Sequence, residues 1–192
     1  MKKLLIRKCK IKDSLTILKI FNESVNKGLT GTRKKINIPS VPFYGLVEEG
    51  IGYVKLTSFT DKASQEVGQA ISNLKANKNI NKLILDLRGN GGGLLMQAVD
   101  IVNFFIPKDQ LVVETKGRMQ EINRVYKTRN QPIDLNIPLV ILVDSYSASA
   151  SEIVSGSLQD LDRAVVVGLN TFGKGLVQQT KDLKFGAKIK LT

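Results

Sequence analysis

The sequence predicts an α/β fold, a layered β-sheet core with packed helices, and three observations carry that expectation. From Ile51 onward, short apolar strands alternate with segments of helical periodicity, a pattern that calls for crossover connections. The strands are apolar at consecutive positions, as in Leu83-Ile84-Leu85 and Val140-Ile141-Leu142-Val143, which suits burial on both faces. Twice a corner of small residues stands between strand and helix, at 89–93 and at 145–151.

Residues 1–40 stand apart. They are lysine-rich and weakly periodic, and they close on the turn-prone Pro39-Ser40-Val41-Pro42. Residues 14–20 and 32–38 read as two strands, too few to close a core. Residues 51–56 are β-branched and aromatic enough for a strand. Thr60 is a candidate cap for the next helix, in which Ala63, Val67, Ala70, Ile71 and Leu74 recur at helical spacing. Residues 82–87 read as a buried strand, 89–93 as a turn, and 94–105 as an amphipathic helix stopped by Pro107. A strand pair is predicted at 111–115 and 121–126. A buried strand at 139–143 runs into the serine-rich corner, with a helix over 150–159. Residues 164–167 read as the last core strand, with extended segments after Lys174.

Bulk properties bound the function. The 192 residues suffice for one domain with a real core, and 42% hydrophobic with 24% charged residues is ordinary for a globular protein. The net charge of +12 favours anionic partners. Against a nucleic-acid function, the basic residues fall in short clusters such as Lys2-Lys3 and Arg33-Lys34-Lys35, without interleaved aromatics or zinc-type spacing. Cys9 is the single cysteine, so no intrachain disulfide forms. No stretch has the length of a transmembrane helix, and membrane association is not indicated. The start, Met1-Lys2-Lys3-Leu4-Leu5-Ile6, begins like an export signal, but Arg7, Lys8, Lys10 and Lys12 interrupt its apolar region.

Three segments carry chemistry. In Asp86-Leu87-Arg88-Gly89-Asn90-Gly91-Gly92-Gly93, glycines free backbone N–H groups to face an anion or oxyanion beside a helix start. The turn lacks the lysine and hydroxyl of a phosphate loop and matches a dinucleotide fingerprint poorly. In Ser145-Tyr146-Ser147-Ala148-Ser149-Ala150-Ser151, small residues allow a hydroxyl to stand over the end of a sheet. Composition leaves Ser145, Ser147, Ser149 and Ser151 all open as nucleophiles. A serine needs a base. The chain contains no histidine, so a Ser-His-Asp arrangement is excluded and a neutral lysine leads, with Lys174 between Gly173 and Gly175 the candidate. Its flanking glycines would let the chain approach a neighbouring element closely.

Together these segments resemble the C-terminal processing peptidases, or tail-specific proteases, which are Ser-Lys serine proteases of the crotonase/ClpP-like superfamily. The likeness covers residues 41–192. It runs through Gly52-Tyr53-Val54-Lys55-Leu56, the glycine turn, Ser147-Ala148-Ser149-Ala150-Ser151-Glu152-Ile153, Val167-Gly168 and Phe172-Gly173-Lys174-Gly175-Leu176-Val177-Gln178.

The resemblance implies a crotonase/ClpP-like core with Ser149 as nucleophile, Lys174 as base and Gln178 holding the amine. It implies oxyanion donors at the N–H of Ala150 and of Gly92 or Gly93, and neither cofactor nor metal. Glu152 is expected to be structural or capping. The implied partners are polypeptides with accessible C-terminal tails, in an extracytoplasmic compartment such as the periplasm or cell envelope. The family carries a tail-capturing PDZ domain and continues past Lys188-Ile189-Lys190-Leu191-Thr192. Residues 1–40 are therefore expected to be a PDZ remnant and linker, and 41–192 a catalytic core truncated at its C-terminus. Two other expectations stand beside this one: a catalytically impaired peptide-binding fragment, and an acyl-CoA enzyme of the same superfamily.

Overall fold

The computed structural model describes residues 38–118 and 120–191. The strands read at 14–20 and 32–38 lie outside the described residues, except for Ile38, which belongs to no element; so does most of the segment expected to be a PDZ remnant.

Strand β1 (Phe43–Glu48) turns through Gly50, at φ 75°, and pairs antiparallel with β2 (Ile51–Lys55). Five of the six β1 residues are exposed, so no alternation marked it as a strand in the sequence. Helix α1 (Ala63–Lys78) then crosses to β3 (Lys82–Asp86). The next crossover is longer. It contains α2 (Leu95–Val102) and a hairpin of β4 (Leu111–Thr115) with β5 (Arg124–Lys127) before returning as β6 (Leu139–Val143). Helix α3 (Ala150–Asp160) leads to β7 (Val165–Gly168), and β8 (Gln179–Asp182) pairs with β9 (Lys188–Leu191) as a separate hairpin.

The main sheet has the order β1-β2-β3-β6-β7, parallel from β2 onward. Each parallel step moves the same way across the sheet. Because such crossovers are right-handed, the three helices gather on one face. That face holds the core: Val54, Leu83, Leu85, Leu139, Ile141 and Val143 are buried on it. All five apolar positions predicted for α1 are buried; Val67, Ile71 and Leu74 each contribute roughly 1.5–3 kcal/mol of burial. Gly52 makes the approach possible, since a Cβ there would lie 2.8 Å from Ile80 Cδ1 and 3.2 Å from Leu74 Cδ1.

Several expectations need correction. Thr60 does not cap α1. The cap position falls on Lys62, without a side-chain cap bond, while the Thr60 hydroxyl pairs with Ser40 Oγ at 2.6 Å. Helix α2 ends earlier than expected, at Val102, and the buried Asn103 that follows turns its side-chain amide to residues 129–130. Its Nδ2 donates to Asn130 O at 2.8 Å, and its Oδ1 accepts the N–H groups of Arg129 and Asn130. The strand expected from 121 begins only at Arg124, after a 3-10 turn at Gln120–Ile122. β7 is an edge strand rather than a core strand, with Val165 and Val167 exposed. Burial on both faces also fails: Tyr53, Ile84, Val140 and Leu142, on the face away from the helices, are only half-buried.

Candidate active site

At the C-terminal ends of β3 and β6, where open α/β sheets place their ligands, the two predicted corners meet. Behind the glycine corner, Asp86 is buried and accepts Tyr53 Oη at 2.6 Å, Arg88 Nη2 at 2.7 Å and Lys55 Nζ at 3.1 Å. Burial pushes this carboxyl up, but the hydrogen bonds, led by Arg88, outweigh it and hold Asp86 well below the usual carboxylate range. The strand end is thereby fixed as the chain enters the turn.

Asn90, fully buried, organises the turn itself. Its Nδ2 donates to Leu56 O at 2.9 Å, and its Oδ1 accepts Gly92 N–H at 2.9 Å. Its carbonyl accepts Ala148 N–H at 3.1 Å and Ser151 Oγ at 2.8 Å. The glycine corner is thus bonded directly to the serine corner. Gly92, at φ 96°, sits at the closest point: a Cβ there would lie 2.6 Å from Ala148 O and 2.9 Å from Ala150 N. Only glycine fits.

The serine corner is held from below by Asp144. Its Oδ1 accepts N–H groups from Gly89 at 2.9 Å, Tyr146 at 3.0 Å and Ser147 at 3.1 Å. The Gly89 bond leads in holding this carboxyl below its ordinary value, against the opposing effect of burial. The four candidate hydroxyls now separate. Ser147 is buried and donates to Leu87 O at 2.9 Å. Ser151 is buried and bonded to Asn90 O. Ser145 is exposed and lines no part of the cavity that Ser149 faces. Ser149 is half-buried at the cap position of α3, with φ 58°. Such backbone costs a non-glycine residue about 1–3 kcal/mol and resembles the strained turns that expose nucleophiles.

The lysine segment, 169–178, has no regular structure. Leu169 N–H donates to Val143 O at 3.3 Å and Phe172 N–H to Ser147 O at 3.0 Å, and around Lys174 itself the segment is held by Glu152. Its Oε2 accepts Ser149 N–H at 2.6 Å and Lys174 N–H at 2.9 Å. Its Oε1 accepts Gly173 N–H at 2.6 Å and Thr171 Oγ1 at 2.8 Å. Burial pushes this carboxyl up, yet the four donors outweigh it and leave it below its ordinary value. Glu152 therefore does more than cap α3: one carboxylate clips the lysine segment onto the backbone of Ser149. Sequence reasoning missed the clip, because nothing local links positions 152 and 171. The flanking glycines also differ from expectation. A Cβ at Gly173 or Gly175 would meet nothing within 4 Å, so close approach is not their reason. Gly173 is required by its φ of 84° instead.

Ser149, Ala150, Lys174, Gln178, Gly92 and Gly93 all face one open cavity of about 650 Å³. Phe59, Leu94, Leu95, Val113, Ile153 and Leu176 give it an apolar wall, and Glu114 adds a carboxylate. The backbone donors around it are unequal. Gly92 N–H is taken up by Asn90 Oδ1, whereas the N–H groups of Gly93 and Ala150 have no acceptor among the described residues. Chemically, the arrangement offers a hydroxyl, an amine and two unpaired N–H donors to a carbonyl compound.

Comparison with known proteins gives the chain's family. The family model "Peptidase family S41" matches residues 50–192. A probable CtpA-like serine protease of Staphylococcus haemolyticus is 38% identical over 185 residues, covering 94% of this chain and 36% of that protein. The chloroplastic carboxyl-terminal-processing peptidase 2 of Arabidopsis thaliana is 37% identical over 172 residues, covering 85% of this chain and 33% of that protein. Among solved structures, the photosystem II D1 C-terminal processing protease superposes with TM-score 0.67 at 32% identity, covering 84% of this chain and 44% of that one. The chain thus spans about a third of the length of these curated relatives.

Proposed function

The chain belongs to peptidase family S41, and on that premise we propose that it is the core of a serine endopeptidase that cleaves polypeptides selected by accessible C-terminal tails. One observation carries the reading: Ser149 and Lys174 face the same cavity while Glu152 ties the lysine's backbone to the serine's.

In this mechanism the Lys174 amine takes the proton of Ser149 Oγ as the oxygen attacks a scissile carbonyl. Gln178 holds the amine in place. The N–H groups of Ala150 and Gly93 receive the oxyanion, each worth about 3–4 kcal/mol of transition-state stabilisation. Gly93 is preferred over Gly92 as the second donor because Gly92 N–H already serves Asn90. Lys174 next gives its proton to the leaving amine, and the C–N bond breaks. Water then attacks the acyl-enzyme ester, with Lys174 as base, and frees Ser149. The apolar wall suits uncharged side chains beside the scissile bond.

Residues 1–40 are assigned in this reading to a PDZ remnant and linker, and 41–192 to the catalytic domain. The compartment is extracytoplasmic. Among the described residues no helix is long and apolar enough to cross a membrane. Hydrolysis of an unfolded protein, or of a peptide with an apolar tail, tests the proposal. Ser149→Ala and Lys174→Ala should each abolish cleavage while leaving the circular dichroism spectrum unchanged, and turnover that persists in purified Ser149→Ala protein overturns it.

A further inference from the structure

Among the described residues, two charged residues line the cavity, Lys174 and Glu114. The acyl-transfer scheme uses the first and has no place for the second. A carboxylate in the wall of a cleft otherwise lined largely by apolar and glycine residues is a selective element: it favours a cation and disfavours another anion at its position.

Glu114 is built into that wall. Strand β4 is anchored just before it, where Val112 is buried and its carbonyl accepts Ser157 Oγ of α3 at 2.8 Å. The register with β5 shifts between Leu111 and Val113, and a shift of this kind re-aims the residues beyond it. Val113 and Glu114 both line the cavity. The carboxylate is nevertheless available. Its ion-pair partner among the described residues is Lys116, at 2.9 Å, with side chains 77% (Lys116) and 38% (Glu114) exposed. An exposed pair of that kind is weak and salt-screened, so a ligand cation can replace Lys116 at little cost.

We propose that Glu114 is a specificity residue that selects a lysine or arginine side chain of the substrate at one position near the scissile bond. This rests on the endopeptidase reading of the cavity.

The test uses one peptide sequence in which each position around the cleavage site is Lys, Gln or Glu in turn. Binding is measured to the Ser149→Ala chain with and without Glu114→Gln, and hydrolysis is measured with the wild-type chain. At one position Lys should bind about three- to tenfold more tightly than Glu; Glu114→Gln should erase that ratio and Glu114→Lys should reverse it. A Lys-to-Glu ratio that is the same with and without the Glu114 carboxylate overturns the assignment. Charge-selective binding without hydrolysis would sink the endopeptidase reading and leave Glu114 standing. Hydrolysis of the Gln peptides with a flat charge profile would sink Glu114 alone, and neither binding nor hydrolysis would sink both.

Discussion

The serine corner and the lysine segment face the same cavity but are held in opposite ways. The corner is buried and bonded many times over: Ser147, Ser151 and Asn90 are fully buried, and Asp144, Asn90 and Leu87 all tie it down. The lysine segment is exposed along much of its length, with Phe172 and Leu176 each more than 60% accessible. Around Lys174, the bonds of Thr171, Gly173 and Lys174 itself all go to a single carboxylate, Glu152. One half of the proposed dyad is thus set by the fold, and Glu152 does much to set the other. Catalysis needs both halves within fractions of an ångström, so damage to the two regions should look different: the corner should fail by unfolding, and the segment by losing rate.

The largest expected effect breaks the corner. Gly92→Val places side-chain atoms where a Cβ alone would already lie 2.6 Å from Ala148 O, at a φ of 96°. It should cost about 3 kcal/mol or more of stability, seen as a lower denaturation midpoint in urea with activity lost in parallel. A midpoint equal to wild type would show that the two corners are not in close contact at Gly92.

Next comes the clip. Glu152→Ala frees Thr171, Gly173 and Lys174 and should lower kcat about 100-fold, since an error near 1 Å in a catalytic group is worth that much. KM should change little, and Glu152→Gln should restore part of the rate through its remaining acceptor oxygen. If both variants raise KM and leave kcat alone, the carboxylate serves the substrate rather than the lysine.

The smallest effect concerns pH and the support beneath the corner. Asp144 has its pKa held below the ordinary carboxylate value in the folded chain. Its contribution is therefore complete above the unfolded value near pH 4 and is lost as pH falls through the lower folded value. Asp144→Asn should cost about 1–2 kcal/mol at pH 7, with the gap to wild type shrinking at pH 3 in urea titrations. A gap that widens on acidification would contradict the assigned bonds.

Much of the sheet was legible in the sequence because apolar runs at 82–87 and 139–143 have no other place to go than a core. The α1 stripe was legible for the same reason. β1 was not, since an edge strand with exposed residues carries no period. The side-chain partner of Asn103, just past the end of α2, lies twenty-six residues later, and no local pattern encodes that pairing. The site divides similarly. Position and order of the motifs marked Ser149 and Lys174 through resemblance, but composition left four hydroxyls open. It is tertiary bonding that removes Ser147 and Ser151 and sets Gly93 apart from Gly92. Glu152 was visible as a helix-cap residue; its second partner lies across a loop.

The pairing of Ser149 with Lys174 is tested most directly by the rate of covalent labelling with a fluorophosphonate, mapped to residues by mass spectrometry. The intact chain should be labelled at Ser149 alone, and Lys174→Ala should slow that labelling about 100-fold or more. Labelling of Ser149 that is equally fast without Lys174, or that falls on Ser145, Ser147 or Ser151 instead, would contradict the pairing.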